Sequence, residues 1–165
     1  MHKFEDLAEV VSERILSRAV EVSRRLTTAG VPHALIGGLA VGLYASPRHT
    51  KDVDFLVGAE AFGKMKPLLV YREELADLVA IGFVDLLALP DGHLHMVEDL
   101  RVPQAGEIPV VSAEALVLLK LLAWRPQDRA DIAALIRAGV DPDSVISYLQ
   151  DRAPEYVVRF VELVG

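Results

Sequence analysis

The sequence predicts an α+β fold: a small mixed β-sheet core flanked by helices, with a helical C-terminal tail. Three observations predict it. Between Phe4 and Thr28 apolar residues recur at three- and four-residue spacing, the period of an amphipathic helix. Short apolar stretches bounded by Gly, Pro and Asp follow, each the length of a strand. From Ser112 onward, Ser, Pro and Asp stand where helices start, and Gly139 stands where one would end.

Each element is legible in order. Leu7, Val10, Val11, Ile15, Ala19, Val22 and Leu26 mark one helix from Phe4 to Thr28, with Gly30 as its stop. His33 to Ile36 is a short buried strand closed by Gly37-Gly38. Leu39 to Tyr44 is a short apolar helix, broken by Pro47 and followed by the polar turn Arg48-His-Thr-Lys51. Asp52 to Val57 alternates as a strand with one polar face should. Ala59 to Met65 is expected to be helical, with Pro67 interrupting. Glu73 to Ile81 fits helix or strand equally. Gly82 to Leu89 is a strand with one acidic residue, His93 to Val102 an irregular edge strand, and Ile108 to Val111 a short strand. Ser112 is an N-cap, Pro126 opens a helix through Ala138, and Asp141 and Pro154 start two more. No repeat or low-complexity tract is found. The division expected is a core of residues 1–111, N-terminal helix included, and a helical extension of residues 112–165 packed on it.

Composition narrows the function. A chain of 165 residues, 52% hydrophobic, can build a core without a covalent or metal staple. It has no cysteine, which rules out a disulfide framework, a thiolate zinc site and a catalytic thiol, and fits a reducing cytoplasm, the location expected. Met1 to Arg14 is charged throughout and lacks the apolar run of a signal peptide, and no stretch is long enough to span a membrane. The formal net charge of −7 argues against a large nucleic-acid partner, although Arg24, Arg25, Arg48 and Lys51 could form a local basic patch. Nucleotides are not disfavoured, because metal ions bridge phosphates to carboxylates.

The chemistry is concentrated between Ile36 and Phe55. Asp52 and Asp54 stand at i and i+2 on a strand, so both side chains leave the same face. Adjacent like charges repel unless solvated or neutralised, and a hard divalent cation is the usual neutraliser. Gly37-Gly38 precedes a short helix, where a missing Cβ lets a phosphate approach and the helix N-terminus favours an anion. Alone, a glycine pair is usually a turn, and Asp-x-Asp is usually a solvated strand edge. Together, with the carboxylates set in an apolar strand, they describe a triphosphate–metal site.

Gly37-Gly38, a gap of thirteen residues and then Asp52-Val-Asp54-Phe resembles the signature of the DNA polymerase β-type nucleotidyltransferase superfamily. The chain is most similar to two bacterial branches: the abortive-infection (AbiEii-like) nucleotidyltransferases of toxin–antitoxin pairs, and the small lincosamide-type antibiotic nucleotidyltransferases. In the second branch a glycine pair precedes Arg-x-x-x-Asp-x-Asp, which stands here as Arg48 to Asp54. Ile108 to Leu116, Lys120 and Arg125 to Asp131 also resemble the segment after the core in both branches. The likeness covers much of residues 34–135, but only the Gly-Gly to Asp-x-Asp part is specific.

The resemblance implies a nucleotidyltransferase core using Mg²⁺ (or Mn²⁺), with a nucleoside triphosphate as substrate. It implies a third acid on a later strand, for which Asp85 is the candidate and Asp77 the fallback. As the one charge in Phe83-Val-Asp-Leu-Leu, Asp85 would be costly to bury unpaired; its other reading is an edge residue facing water. Catalytic and metal roles thus fall on Asp52, Asp54 and Asp85. Nucleotide binding falls on Gly37, Gly38, Arg48, Thr50, Lys51 and Lys120, the last being either a phosphate ligand or a snorkelling surface lysine. Arg125, Asp128 and Asp131 are expected to form a helix-start charge network without direct catalysis. His93 and His95, which could present two imidazoles to a metal, are expected on an exposed edge instead. His49 is expected to face solvent, and Trp124 to anchor packing.

The function expected is transfer of a nucleoside monophosphate to a hydroxyl of a protein, an RNA 3′ end or a small molecule. The resemblance adds a cognate toxin or antitoxin protein as a partner. The alternative is a binding or antitoxin module of the same fold with little turnover. Base preference, acceptor and oligomeric state are not written in the sequence.

Overall fold

The computed structural model describes residues 1–63 and 70–165. The fold is mixed α+β, 57% helical and 12% strand. The expected N-terminal helix is divided. Phe4–Glu9 forms a 3₁₀ turn, and α1 runs Glu13–Thr28. The division falls at Ser12, whose hydroxyl accepts from the Ile15 amide at 3.4 Å and caps a fresh helix start. Leu7 and Val11 are buried nonetheless, so the apolar pattern predicted burial correctly but not continuity. Gly30 ends α1 at φ +69°.

Next come β1 (His33–Leu35), α2 (Gly37–Tyr44) and β2 (Val53–Val57). The helix α2 starts two residues earlier than expected, at the glycine pair itself. Phe62–Gly63 (β3) and Val70–Tyr71 (β4) make a small antiparallel ribbon. Of the expected helix from Ala59 to Met65, Ala59–Ala61 forms a 3₁₀ turn and Phe62–Gly63 a strand; Met65 and Pro67 lie outside the described residues. Within residues 73–81 the choice resolves as helix, a 3₁₀ turn (Glu73–Leu75) leading into α3 (Ala76–Val79), with Ala80 and Ile81 in a turn. The fifth strand, β5, spans Val84–Ala88.

The main sheet has the order β1-β2-β5. The central strand β2 runs antiparallel to β1 and parallel to β5, which makes a mixed sheet with β5 at its edge. Val53, Phe55 and Leu56 are buried, and so are Val84 and Leu86 on β5.

The segment after β5 departs from expectation. Leu94–Asp99 is a 3₁₀ helix rather than a strand. Its buried residues His93 and Met96 are three apart, the 3₁₀ period, while Leu94 and Val97 point to solvent. Arg101 alone bridges back to His33, and Val110 alone bridges to Leu35, in place of the expected strand at Ile108–Val111.

The C-terminal helices are α4 (Ala113–Ala123), α5 (Pro126–Arg137), α6 (Pro142–Arg152) and α7 (Val157–Val164). Their starts follow the predicted chemistry. Ser112 accepts from the Ala115 amide at 3.2 Å, Pro126 occupies the first turn of α5, and Asp141 caps α6. Pro154 first makes a 3₁₀ turn before α7. Leu116, Ile132 and Phe160 from this tail join Leu7, Phe55 and Leu86 in one buried apolar cluster. No helix among the described residues is long and apolar enough to cross a membrane.

Candidate active site

The parallel register sets Asp54 on β2 directly opposite Asp85 on β5. Asp52 lies two residues before Asp54, just ahead of the strand, and is exposed. Asp85 is exposed too, and shares its face of β5 with the exposed Leu87, while Val84 and Leu86 point inward. This corrects one expectation. Asp85 does not carry the burial penalty; Asp54 does.

The Asp54 carboxyl is pushed up from an ordinary 3.8 to about 7. Burial is the largest cause, followed by the charges of Asp85 and Asp52 and a hydrogen bond between the Asp54 and Asp85 carboxyls; Lys120 works in the opposite direction. The carboxylates therefore form a like-charge cluster with little internal neutralisation. All its donors are hard oxygens, which fits Mg²⁺ or Mn²⁺. Among the described residues no three acidic or imidazole groups already converge closely enough to hold a metal ion between them.

The glycine pair is packed against these acids. The Ile36 amide donates to the Asp54 carbonyl at 3.0 Å, which ties the start of α2 to β2. Gly37 has φ +67°, and a Cβ there would run into the Asp54 carboxylate. A Cβ on Gly38 would lie 2.8 Å from Thr50 Oγ1 and 3.1 Å from Arg48 Nη2. Both glycines are thus required by close approach within the chain.

Thr50 is buried, whereas Lys51 and His49 are exposed at the cleft. Arg48 leaves the polar turn to form a two-pronged pair with Asp131, Nε to Oδ1 at 2.9 Å and Nη2 to Oδ2 at 3.0 Å. Lys120 is not a surface lysine. It is 6% exposed, with its ammonium 3.0 Å from Asp128 and 2.8 Å from Asp131. Asp128 also accepts from the Arg125 amide at 2.9 Å and its guanidinium at 2.8 Å, the helix-start network expected there. Asp131 does more than expected. It joins α5 to the polar turn through Arg48 and to α4 through Lys120, and accepts from Gln127 at 2.9 Å. Its partners hold its carboxyl below the usual range against the effect of burial. A signal existed: Asp128, Asp131, Ile132 and Leu135 share the helical spacing of one inward face.

These groups surround a cleft of about 690 Å³. Gly37, Gly38 and the polar turn form one wall, Asp52, Asp54 and Asp85 the floor, and Lys120, Arg125 and Asp128 another wall. Leu87, Leu116, Leu119 and Ala123 add an aliphatic lining that sequence reasoning missed. A larger cleft of about 870 Å³, between the N-terminal segment, α1 and residues 104–108, lies apart from the aspartates. Chemistry, not size, selects the smaller one.

The remaining candidates lie elsewhere. Asp77 is bound on the surface by Arg25, with both contacts at 2.7 Å, which removes it as an alternative third acid. The basic patch considered from Arg24, Arg25, Arg48 and Lys51 does not assemble, since Arg25 and Arg48 are each committed to an aspartate on different faces. His93 is buried rather than on an exposed edge; His95 sits 3.1 Å from the Tyr148 hydroxyl. Trp124 ends α4 at φ +52°, its ring under the Arg129 and Arg159 guanidinium groups, in keeping with a packing role.

Compared with known proteins, the chain matches no family model, and no curated protein matches it significantly.

Proposed function

We propose that this protein is a Mg²⁺-dependent nucleotidyltransferase, moving a nucleoside monophosphate from a triphosphate to a hydroxyl acceptor. One observation carries the reading: Asp54 and Asp85 are paired in register, with Asp52 beside them, at the foot of a helix that starts with two glycines. Three carboxylates facing an anion-favouring helix start make sense when cations join acid to phosphate.

Asp52, Asp54 and Asp85 are the residues that would hold the metal, Mg²⁺ or Mn²⁺. When bound, it neutralises phosphate charge and activates the attacking oxygen. The chain's own groups then do the following work. The start of α2 at Gly37 and Gly38 turns backbone amides and the positive end of the helix toward the phosphates. Asp85, exposed on the edge strand, either completes the metal site or accepts the proton of an acceptor hydroxyl. Lys51 offers an exposed cation at the rim. Arg48 and Lys120, locked by Asp128 and Asp131, hold the polar turn and the α4 wall in fixed positions. Attack on the α-phosphorus forms the new P–O bond as the bond to pyrophosphate breaks, and the hydroxyl proton passes to Asp85 where it serves as base, or to solvent where Asp85 holds metal.

A second reading has one observation in its favour. The carboxylates do not yet converge on a common point, as suits a module of this fold that binds nucleotide, or a cognate toxin or antitoxin, with little turnover. Melting with Mg²⁺ and each triphosphate, alongside a pyrophosphate assay, separates the two. Enzymatic transfer requires a raised melting temperature and released pyrophosphate. Stabilisation without pyrophosphate supports the binding module, and neither effect removes both readings.

A further inference from the structure

We propose that Arg125 is a ligand for the phosphate tail of the triphosphate: buried Asp128 holds one edge of its guanidinium, and the other edge is left for phosphate oxygens in the cleft. The inference rests on the nucleotidyltransferase reading and goes beyond it, since the sequence places Arg125 only in a helix-start network.

The position is an odd one for a cation. Arg125 is the N-cap of α5. Short polar or acidic residues suit an N-cap, and the positive end of the helix dipole disfavours a cation beside it. Capping does not need the side chain: the Arg125 amide itself donates to Asp128 Oδ2 at 2.9 Å. The guanidinium adds Nε to Oδ2 at 2.8 Å and Nη2 to Oδ1 at 3.3 Å, while Nη1 has no hydrogen-bond partner among the described residues. A guanidinium can pair one edge with a carboxylate and offer the other to phosphate, in a fixed plane and with permanent charge.

The charge balance points the same way. Arg48, Lys120 and Arg125 share two carboxylates, Asp128 and Asp131, so one positive charge is left over. It falls where solvent reaches: the Arg125 side chain is 73% exposed, whereas Lys120 is buried and Arg48 half-buried. Arg125 lines the cleft with Asp52, Asp54 and Asp85 but forms no ion pair with them among the described residues. It still feels them. Its pKa is raised chiefly by the hydrogen bond and charge of Asp128, and further by the charge of Asp54. Exposed Lys51 lines the same cleft from the polar turn. Two exposed cations on two walls, with the carboxylates on the floor, suit a polyanion whose other charges are taken up by metal.

The test uses the full chain and titration calorimetry, with Mg²⁺ plus inorganic tripolyphosphate and with Mg²⁺ alone. Arg125→Ala should weaken tripolyphosphate binding by about tenfold, the loss of one charge-assisted contact, and leave Mg²⁺ binding no weaker. Arg129→Ala removes the same charge from α5 beside Trp124, outside the cleft, and should leave both unchanged. Arg125→Lys should recover part of the loss, since it keeps the charge without the fork. An unchanged melting temperature shows that the amide still meets Asp128; if Arg125→Ala melts early, Arg125→Gln, which keeps a donor for Asp128 without the charge, makes the same comparison. Wild-type tripolyphosphate affinity in the folded variant overturns the assignment, as does an equal loss in Arg129→Ala. Stronger Mg²⁺ binding with tripolyphosphate affinity unchanged would make Arg125 a counter-charge to the aspartates instead. Each of these failures leaves wild-type tripolyphosphate binding standing. If the wild type binds neither tripolyphosphate nor any of the common nucleoside triphosphates, the nucleotide reading fails and the assignment with it.

Discussion

Asp54 and Asp85 face one another across two parallel strands, and the carboxyl of half-buried Asp54 is pushed up to about 7. In the unfolded chain its proton leaves near 3.8. The folded state therefore binds more protons between these values, and stability from this group is lost as pH rises through the window. His33 acts in the opposite sense. Burial lowers its pKa below 6.5, so stability is lost as pH falls below 6.5. Subtraction isolates the aspartate. Denaturant melts of wild type and Asp54→Asn, without metal, should show the variant gaining relative stability from pH 4 to pH 8. A constant difference would mean that Asp54 titrates normally.

Metal binding should be linked to the same proton. A cation needs the ionised carboxylate, so Mg²⁺ affinity should rise with pH up to about 7 and level off above it. Titration calorimetry in two buffers of different ionisation enthalpy would report proton release near pH 6. Affinity independent of pH would place the ion away from Asp54.

Replacing both Asp52 and Asp54 with Asn should lower transfer by a factor on the order of 10³ or more, since the charges that hold the metal are gone. The apo protein should be no less stable, because like-charge repulsion is relieved. Label transfer at the wild-type rate would show the chemistry to lie elsewhere; a failure to fold would make the pair structural.

Gly38→Val should weaken triphosphate binding more than Mg²⁺ binding alone. Its Cβ meets Thr50 and Arg48, so some stability should be lost as well. Gly37→Ala should be the more damaging to the fold, because it adds a positive φ to a collision with Asp54, at a cost of about 1–3 kcal/mol. Circular dichroism and urea melts give the stability side, calorimetry the binding side. Equal triphosphate affinity in folded Gly38→Val would end the phosphate-cradle assignment.

Asp131→Ala leaves Arg48 without its two-pronged partner and removes one of two carboxylates from buried Lys120. Breaking such a buried pair costs about 3–5 kcal/mol. Urea unfolding should register a loss of that order, whereas Asp77→Ala, which breaks an exposed pair with Arg25, should change stability far less. Similar small losses in both would mean that the network does not hold the polar turn in place.

Much of the fold was written in local signals. Ser112, Pro126 and Asp141 start helices through their own caps or rings, and Gly30 and Gly139 end them through positive φ, none of which needs the rest of the chain. The errors fall where tertiary contacts decide. His93 to Met96 alternate polar and apolar like a strand, yet the segment winds into a 3₁₀ helix in which His93 and Met96 bury together three residues apart. The carboxylate cluster was legible at Asp52 and Asp54 from their i, i+2 spacing. Asp85 entered as the lone acid of its strand, but which carboxylate is desolvated depends on β5 being an edge, which spacing does not reveal. Lys120 stayed open between a phosphate ligand and a surface lysine, and Asp131 read only as part of a helix-start network, because their partners are distant in sequence or on another helix: Asp131 and Arg48 are 83 residues apart. The aliphatic lining at Leu87 was invisible, since a leucine on a strand signals core unless its exposure is known.

The most direct test of nucleotidyl transfer is incubation of the full chain with each α-labelled triphosphate, Mg²⁺ and a cell extract, followed by separation of protein, RNA and small molecules. The predicted result is label on one acceptor class with matching pyrophosphate release, both abolished in Asp54→Asn. Absence of label and pyrophosphate with every triphosphate, or equal labelling by Asp54→Asn, would contradict it.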